Sequence, residues 1–358
     1  MATRRGFLAG ILAAGALPQV SWADAGAPEM LGACRDDAGA FGLVGLDGQG
    51  QALFHIPLPA RGHAAAAHPT HPEAVAFARR PGTYALVIDC MTGRVAHEMQ
   101  APAGRHFYGH GVFVAGGDIL ATTENLIDTG EGRIGLWSRS DGYARIGELA
   151  SGGVGPHDIR LLGDDVLAVA NGGIRTHPDH GRDKLNIATM RPNLSYVSLR
   201  DRAVVEQVTL PPELHQNSIR HLAVGPDGQV GFAMQWQGDT ADTVPLLGLH
   251  RRGAAPILAQ ADAGEQVAMQ GYAGSVSFDG AGARIAITSP RGGRLHVFDA
   301  VDGAFLHSHK RPDICGLVAG AQGFVASDGL GVILSVTDRP RLLARHDGQA
   351  WDNHLVRL

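Results

Sequence analysis

Beyond its first 25 residues the chain reads as short apolar runs, each broken by Gly, Pro, Asp or Asn, alternating with a period of two rather than the helical 3.6. The segment from Ser275 displays the unit. Four runs, Ser275–Phe278, Ala283–Ser289, Arg294–Asp299 and Ala304–His309, are separated by the turn sequences DGAG, PRGG and AVDG. The same pattern starts at His110 and again at Cys315. In all, units open at residues 63, 110, 157, 221, 275, 315 and 354, with spacings of 47, 47, 64, 54, 40 and 39. Repeats of about four strands and this length predict a β-propeller.

The two ends complete the count. The chain stops at Leu358 after a single run, His354–Leu358, and opens with three, Met30–Cys34, Phe41–Leu46 and Ala52–Ile56. Joined, they make one blade. The expectation is an all-β, seven-bladed β-propeller over residues 26–358, a single domain closed by a C-terminal innermost strand that completes the blade begun at the N-terminus. Such closure removes two free sheet edges.

One connection is much longer than the rest: residues 171–193, NGGIRTHPDHGRDKLNIATMRPN, between the second and third strands of the third unit. Connections of that length are usually functional or disordered. Propeller geometry puts this loop, the other second-to-third connections and the starts of the innermost strands on one face. That face collects His, Arg, Asn and aromatic residues, including Arg220, Tyr272 and Asn353, while the opposite face receives Gly, Asp and Pro turns.

The leading residues carry the chemistry. His63, His110, His157, His221 and His354 occupy one equivalent position in five of the seven units, with Ser275 and Cys315 in the other two. Equivalent innermost positions converge on the propeller axis. Five imidazoles there form a candidate metal centre, since neutral imidazole accepts iron, copper and zinc alike. Cys315 is a possible additional ligand. So are His177 and His180, an HxxH pair in the long loop. Asp158, Asp352 and Glu124 are candidates to hold the second ring nitrogens of the ligands, with Asn171 of the same face as a further ligand-binding or supporting residue. Arg79, Arg175 and Arg291 could grip a carboxylate or phosphate, and Tyr108 and Trp351 would line the same mouth. The bland alternative is a ring of histidines that only hydrogen-bonds neighbouring loops and channel water.

Composition narrows the setting. Of 358 residues, 30 are Lys or Arg and 35 Asp or Glu, a formal charge of −5, and no long basic run exists. Nucleic acid is therefore not expected as a partner. Residues 1–25 read as an export leader: Arg4-Arg5 in a twin-arginine pattern, an apolar run Leu8–Leu17, then Ala23-Asp24-Ala25 as a cleavage site. The apolar run is shorter than the roughly 18–20 residues a bilayer span needs. A periplasmic protein without a span in its mature chain is expected. Three cysteines without a CxxC argue against a disulfide framework, leaving one Cys34–Cys90 bridge open. GxSxG, P-loop, HExxH and CxxCH signatures are missing from the sequence.

Arg61-Gly62-His63, YGHG at 108–111, GPHD at 155–158, the NGGIRTHPDHGR loop, MRPNLSYVS at 190–198 and the final WDNH resemble, taken together, the bacterial family described as domain of unknown function 1513. The likeness implies a seven-bladed propeller exported through the twin-arginine route. It further implies a role in iron or redox-metal handling beside imelysin-type or di-haem proteins, with iron or copper first among the metals, zinc next, and haem as another cofactor. Two other functions stay open on the residues: a metal-dependent hydrolase or oxidoreductase acting on a small anion, and a scaffold that docks a haem or iron-uptake partner.

Overall fold

The computed structural model describes residues 20–78, 84–163, 165–181 and 183–358. The twin-arginine motif and Arg79 lie outside the described residues. Seven four-stranded antiparallel sheets form the blades. Blade one is β4 (Gly62–Ala67), β5 (Glu73–Ala78), β6 (Tyr84–Asp89) and β7 (Arg94–Gln100). Blade two is β8 (Arg105–Val114), β9 (Ile119–Leu126), β10 (Glu131–Ser138) and β11 (Ala144–Val154). Blade three is β12 (Pro156–Leu162), β13 (Val166–Asn171), β14 (Asn193–Ser198) and β15 (Ala203–Thr209). Blade four is β16 (Asn217–Val224), β17 (Val230–Trp236), β18 (Leu247–His250) and β19 (Ile257–Ala259). Blade five is β20 (Ser275–Phe278), β21 (Arg284–Ser289), β22 (Arg294–Asp299) and β23 (Phe305–Lys310). Blade six is β24 (Ile314–Gly320), β25 (Gly323–Asp328), β26 (Val332–Val336) and β27 (Pro340–Arg345). Blade seven takes β28 (Gln349–Arg357) as its innermost strand and β1 (Met30–Asp36), β2 (Phe41–Leu46) and β3 (Ala52–Leu58) as its outer three.

The burial pattern explains the apolar runs. Inner strands such as β21 and β25 are buried almost end to end, because each blade packs both faces against its neighbours. The outermost strands keep only isolated buried positions, Met99 in β7 and Val208 in β15. Between blades three and four, Ala168, Leu194 and Tyr196 pack against Ile219, Leu222, Phe232 and Met234. Turn chemistry ends the strands: the Asp279 carboxylate accepts the Ala283 N–H at 2.9 Å, and Gly282 takes φ +71° in the DGAG turn.

Each innermost strand lies against the next around the ring, β24 against β28 and β28 against β4. The closing pairing runs from Met30↔Arg357 to Asp36↔Gln349. One short helix, α1 (Ala263–Ala268), precedes β20, its N-terminus capped by the Asp262 carboxylate accepting from the Glu265 N–H at 3.0 Å. Among the described residues no helix is long and apolar enough to cross a membrane. Cys34, Cys90 and Cys315 are free and buried, so the open question of a Cys34–Cys90 bridge resolves to two separate thiols.

Candidate metal centre

The histidines do not open their strands. β8 starts at Arg105 and β28 at Gln349, five residues ahead of His110 and His354. The ring therefore sits below the mouth of the channel, with His110, His157 and His221 almost fully buried. A break in strand pairing aims each side chain. In β12, His157 is the extra residue between the pairs Pro156↔Asn171 and Asp158↔Ala170. In β16 the extra residue is Arg220, and His221 follows it opposite Ala233. The pairing likewise jumps from Gly62 to Ala65 in β4, from Phe107 to Gly111 in β8 and from Trp351 to Leu355 in β28. Bulges re-aim side chains and are common beside functional sites. In β20, which supplies no histidine, the pairing runs without interruption.

The rings meet on the axis. His63 lies 4.9 Å from His110, 5.2 Å from His157 and 5.1 Å from His354, centroid to centroid. His157 and His221 are 4.7 Å apart. His221 and His354 come from blades four and seven, separated in the ring by two whole blades, yet their rings approach to 4.6 Å. Room for this is made at Gly109, which has φ +96° and where a Cβ would collide with the His63 ring.

Two overlapping triads emerge, His63/His110/His354 and His110/His157/His221, each with ligand atoms within 4.8 Å of one another. Tetrahedral coordination at about 2.1 Å needs nitrogens about 3.4 Å apart, closer than the 4.8 Å within which these atoms lie.

Hydrogen bonds fix which nitrogen faces the axis. His110 Nδ1 lies 3.1 Å from Asp158 Oδ1, and that carboxylate is itself held by the Leu222 N–H at 2.9 Å and by Arg160 at 3.3 Å. His157 Nδ1 donates to the Arg220 carbonyl at 3.0 Å, leaving its Nε2 as a lone pair. The inward Nε2 of His110, Nδ1 of His221 and Nε2 of His354 are buried with no hydrogen-bond partner. Burial, then the neighbouring Arg220 and histidines, holds His157 well below the usual histidine range. Burial, then His354 and His110, does the same for His221. Burial, then His110, pushes His354 down to about 3. Burial opposes ionisation of Asp158, but Arg160 and His110 outweigh it and keep its carboxyl well below the carboxylate range. His157, His221 and His354 are thus held as neutral imidazoles, while an ionised carboxylate orients His110 and a carbonyl orients His157, the outer support that metal-binding histidines require.

Other expected residues fall elsewhere. Cys315 does not join the triads. Its thiol faces the Ser327 carbonyl at 3.5 Å and the Trp351 carbonyl at 3.6 Å, inside an apolar cluster, and burial pushes it up to about 12. A thiol so buried is inert rather than ligating. Trp351 is in that same cluster, not at the mouth. Glu124 turns into blade two, where Arg145 holds it at 2.6 Å and Thr122 donates at 2.9 Å, above a glycine, Gly135, whose missing Cβ leaves the space. Asn171 bonds the Ser151 carbonyl and Asn193 Oδ1, each at 2.9 Å, between blades two and three. His177 and His180 sit together on the long loop, ring centroids 5.7 Å apart, outside the triads. Arg175 donates to the Asp128 carbonyl.

Above the ring lies a cavity of about 240 Å³. His63, His157 and His221 form its floor, Tyr108 and Tyr272 part of its wall, and Lys184, Arg220 and Arg291 supply positive charge. Arg291 and Tyr108 thus lie where the sequence put them. Lys184, Gln235 and Gln237 were not singled out there. The only signal for Lys184 is its place in the unusually long loop; for the glutamines it is their position at the end of β17, on the histidine-rich face. The loop is pinned rather than loose: Asn186 accepts the Arg175 N–H at 2.7 Å and donates to the Gly173 carbonyl at 2.8 Å, and the Tyr108 hydroxyl meets Thr176 at 3.0 Å.

Solved structures with the same architecture include hydrazine synthase of Kuenenia stuttgartiensis, with TM-score 0.59, 11% identity, and coverage of 86% of this chain and 90% of that one. The β-propeller domain of Cps50 (Swd1) of Myceliophteria thermophila aligns with TM-score 0.58 and 12% identity over 84% of this chain and 96% of that one. At these identities the likeness is one of fold alone. No curated protein matches the chain. The model of the family described as "Protein of unknown function (DUF1513)" matches residues 56–358, which takes in blades one to six, the innermost strand of blade seven and all five channel histidines. By that match, the chain belongs to the DUF1513 family.

Proposed function

We propose that the protein binds one transition-metal ion in the propeller channel through His63, His110, His157, His221 and His354, and serves iron or redox-metal handling in the periplasm beside imelysin-type or di-haem partners. One observation carries the metal reading: three inward nitrogens, on His110, His221 and His354, are buried together without a hydrogen-bond partner. Each such atom costs about 1–3 kcal/mol if nothing satisfies it, and an ion in either triad would answer two of them, His110 with His354 or His110 with His221. His110 belongs to both triads and offers a single free nitrogen, so one ion at the ring is the simplest occupancy. With the Cys315 thiol elsewhere, the donor set is imidazole alone, which suits iron, copper and zinc. The cavity volume favours a bare ion over haem.

The test is elemental analysis of protein purified from its native compartment, beside a His110→Ala/His157→Ala variant whose folding is checked by circular dichroism. About one ion per chain in the parent and little in a folded variant is the expected result, and it names the metal. A folded parent that takes up neither iron, copper nor zinc would end the metal reading and leave the ring as a structural feature of a docking scaffold.

A further inference from the structure

We propose that the cavity over the histidine ring is a site for a small oxyanion carrying two or more negative charges, one oxygen of which reaches the ring-bound ion; the contact with the ion rests on the metal reading above. Three cations from three separate elements converge there: Lys184 from the long loop, Arg220 from the bulge of β16 and Arg291 from the connection after β21. No Asp or Glu is among the described residues that line the cavity. Elsewhere on the molecule the arginines near this face meet carboxylates: Arg61 pairs with Asp352 at 2.6 Å, and Arg145 with Glu124 at 2.6 Å.

In the cavity, neutral groups position the charges instead. Lys184 Nζ donates to Gln237 Oε1 at 2.6 Å. The Arg291 guanidinium stands 4.3 Å over the Tyr272 ring, and the Tyr272 hydroxyl accepts from Asn353 Nδ2 at 3.3 Å. Like charges gathered this closely repel one another, and burial, then Arg220 and Arg291, lowers the Lys184 ammonium accordingly. An anion relieves that repulsion, and charge-assisted hydrogen bonds are the strong ones. The cavity, about 240 Å³, is smaller than the roughly 300–1,000 Å³ that drug-sized ligands occupy, which points to an anion of few atoms. Its floor is the imidazole ring, so an oxyanion clamped by the three cations faces the ion.

The experiment titrates malonate and, separately, sulfate into the full protein by calorimetry, in metal-loaded and metal-free forms, for the parent and a Lys184→Gln/Arg291→Gln variant. Both substituted residues are exposed at the rim, so the fold and the metal content should be unchanged. Saturable binding by the parent, weakened about tenfold or more in the variant, supports the site. Tighter binding to the loaded form supports contact with the ion, and equal binding to the two forms overturns that contact. The better of malonate and sulfate tells a carboxylate source from an inorganic one. No saturable binding, or equal affinities in parent and variant, overturns the proposal. If the parent takes up no metal, the metal reading fails alone, and the metal-free titration still decides the anion site.

Discussion

His68 shows how one buried imidazole couples this fold to pH. Its Nδ1 accepts the backbone N–H groups of Thr70 at 3.2 Å and His71 at 2.9 Å, so it must be neutral. Burial first, then Arg139 and His71, against weaker opposition from Glu73 and Asp118, pushes it down to about 4. The unfolded chain takes up that proton near pH 6.5, so the unfolded state binds more protons between about 6.5 and 4. The stability due to His68 is present above pH 6.5 and is lost as pH falls towards 4. A His68→Asn variant, whose amide oxygen can still accept, should lose less stability over that window than the parent. Urea midpoints at several pH values would check this, and parallel slopes for the two proteins would refute it.

The five channel histidines were legible in the sequence because they repeat in phase with the blades. The neighbours that tune them were legible only where they sit next to a ligand, as Asp158 does. Cys315 shared the phase but not the direction, because the two residues Cys315 and Gly316 face Ser327 in a break of the β24–β25 pairing that turns the thiol into the blade core. Glu124 and Asn171 lie near the expected face, but alternation along β9 and β13 points Glu124 over the face of its own sheet and Asn171 into the space between blades two and three, a distinction that proximity to a turn cannot reveal.

Among the elements, β28 bears the most consequence. It supplies the innermost strand of blade seven, the partner of β1 and the ligand His354. Removing residues 349–358 would leave β1 as an open edge at the axis and uncover Cys34, Trp351's neighbours in the apolar cluster and the channel itself. The truncated chain should lose cooperative unfolding in calorimetry and become rapidly cleaved by protease; a sharp transition near that of the parent would show that three strands suffice to finish the ring. The strands themselves were well marked in the sequence, β20 and β22 to the residue, because turn glycines and aspartates bracket them. The bulges were not marked, since an extra residue in one strand leaves no compositional trace, and they are what places the histidines below the lip.

Taken as one body, the propeller has two unlike openings. The histidine side carries Lys184, Arg220 and Arg291, whereas the far side is lined by apolar residues such as Leu222, Val276, Leu317 and Val356. Small anions would approach from the cationic side. Because the ring is assembled only in the folded chain, a bound ion stabilises the fold by mass action. At a free concentration one hundred times its dissociation constant, that is about 2.7 kcal/mol, or roughly 4 °C in the melting temperature of a chain this size. The matching ion should raise the melting temperature by that order and a chelator should return it; a melting temperature indifferent to iron, copper and zinc would count against the centre.

The candidate ligands are strung from His63 to His354, and the last of them lies on β28, the strand that closes the ring. A chain without β28 still carries four of these imidazoles, but the full set exists only once β28 has joined β1. Metal retention would thus report ring closure, and an ion held there would clasp the first blade to β28.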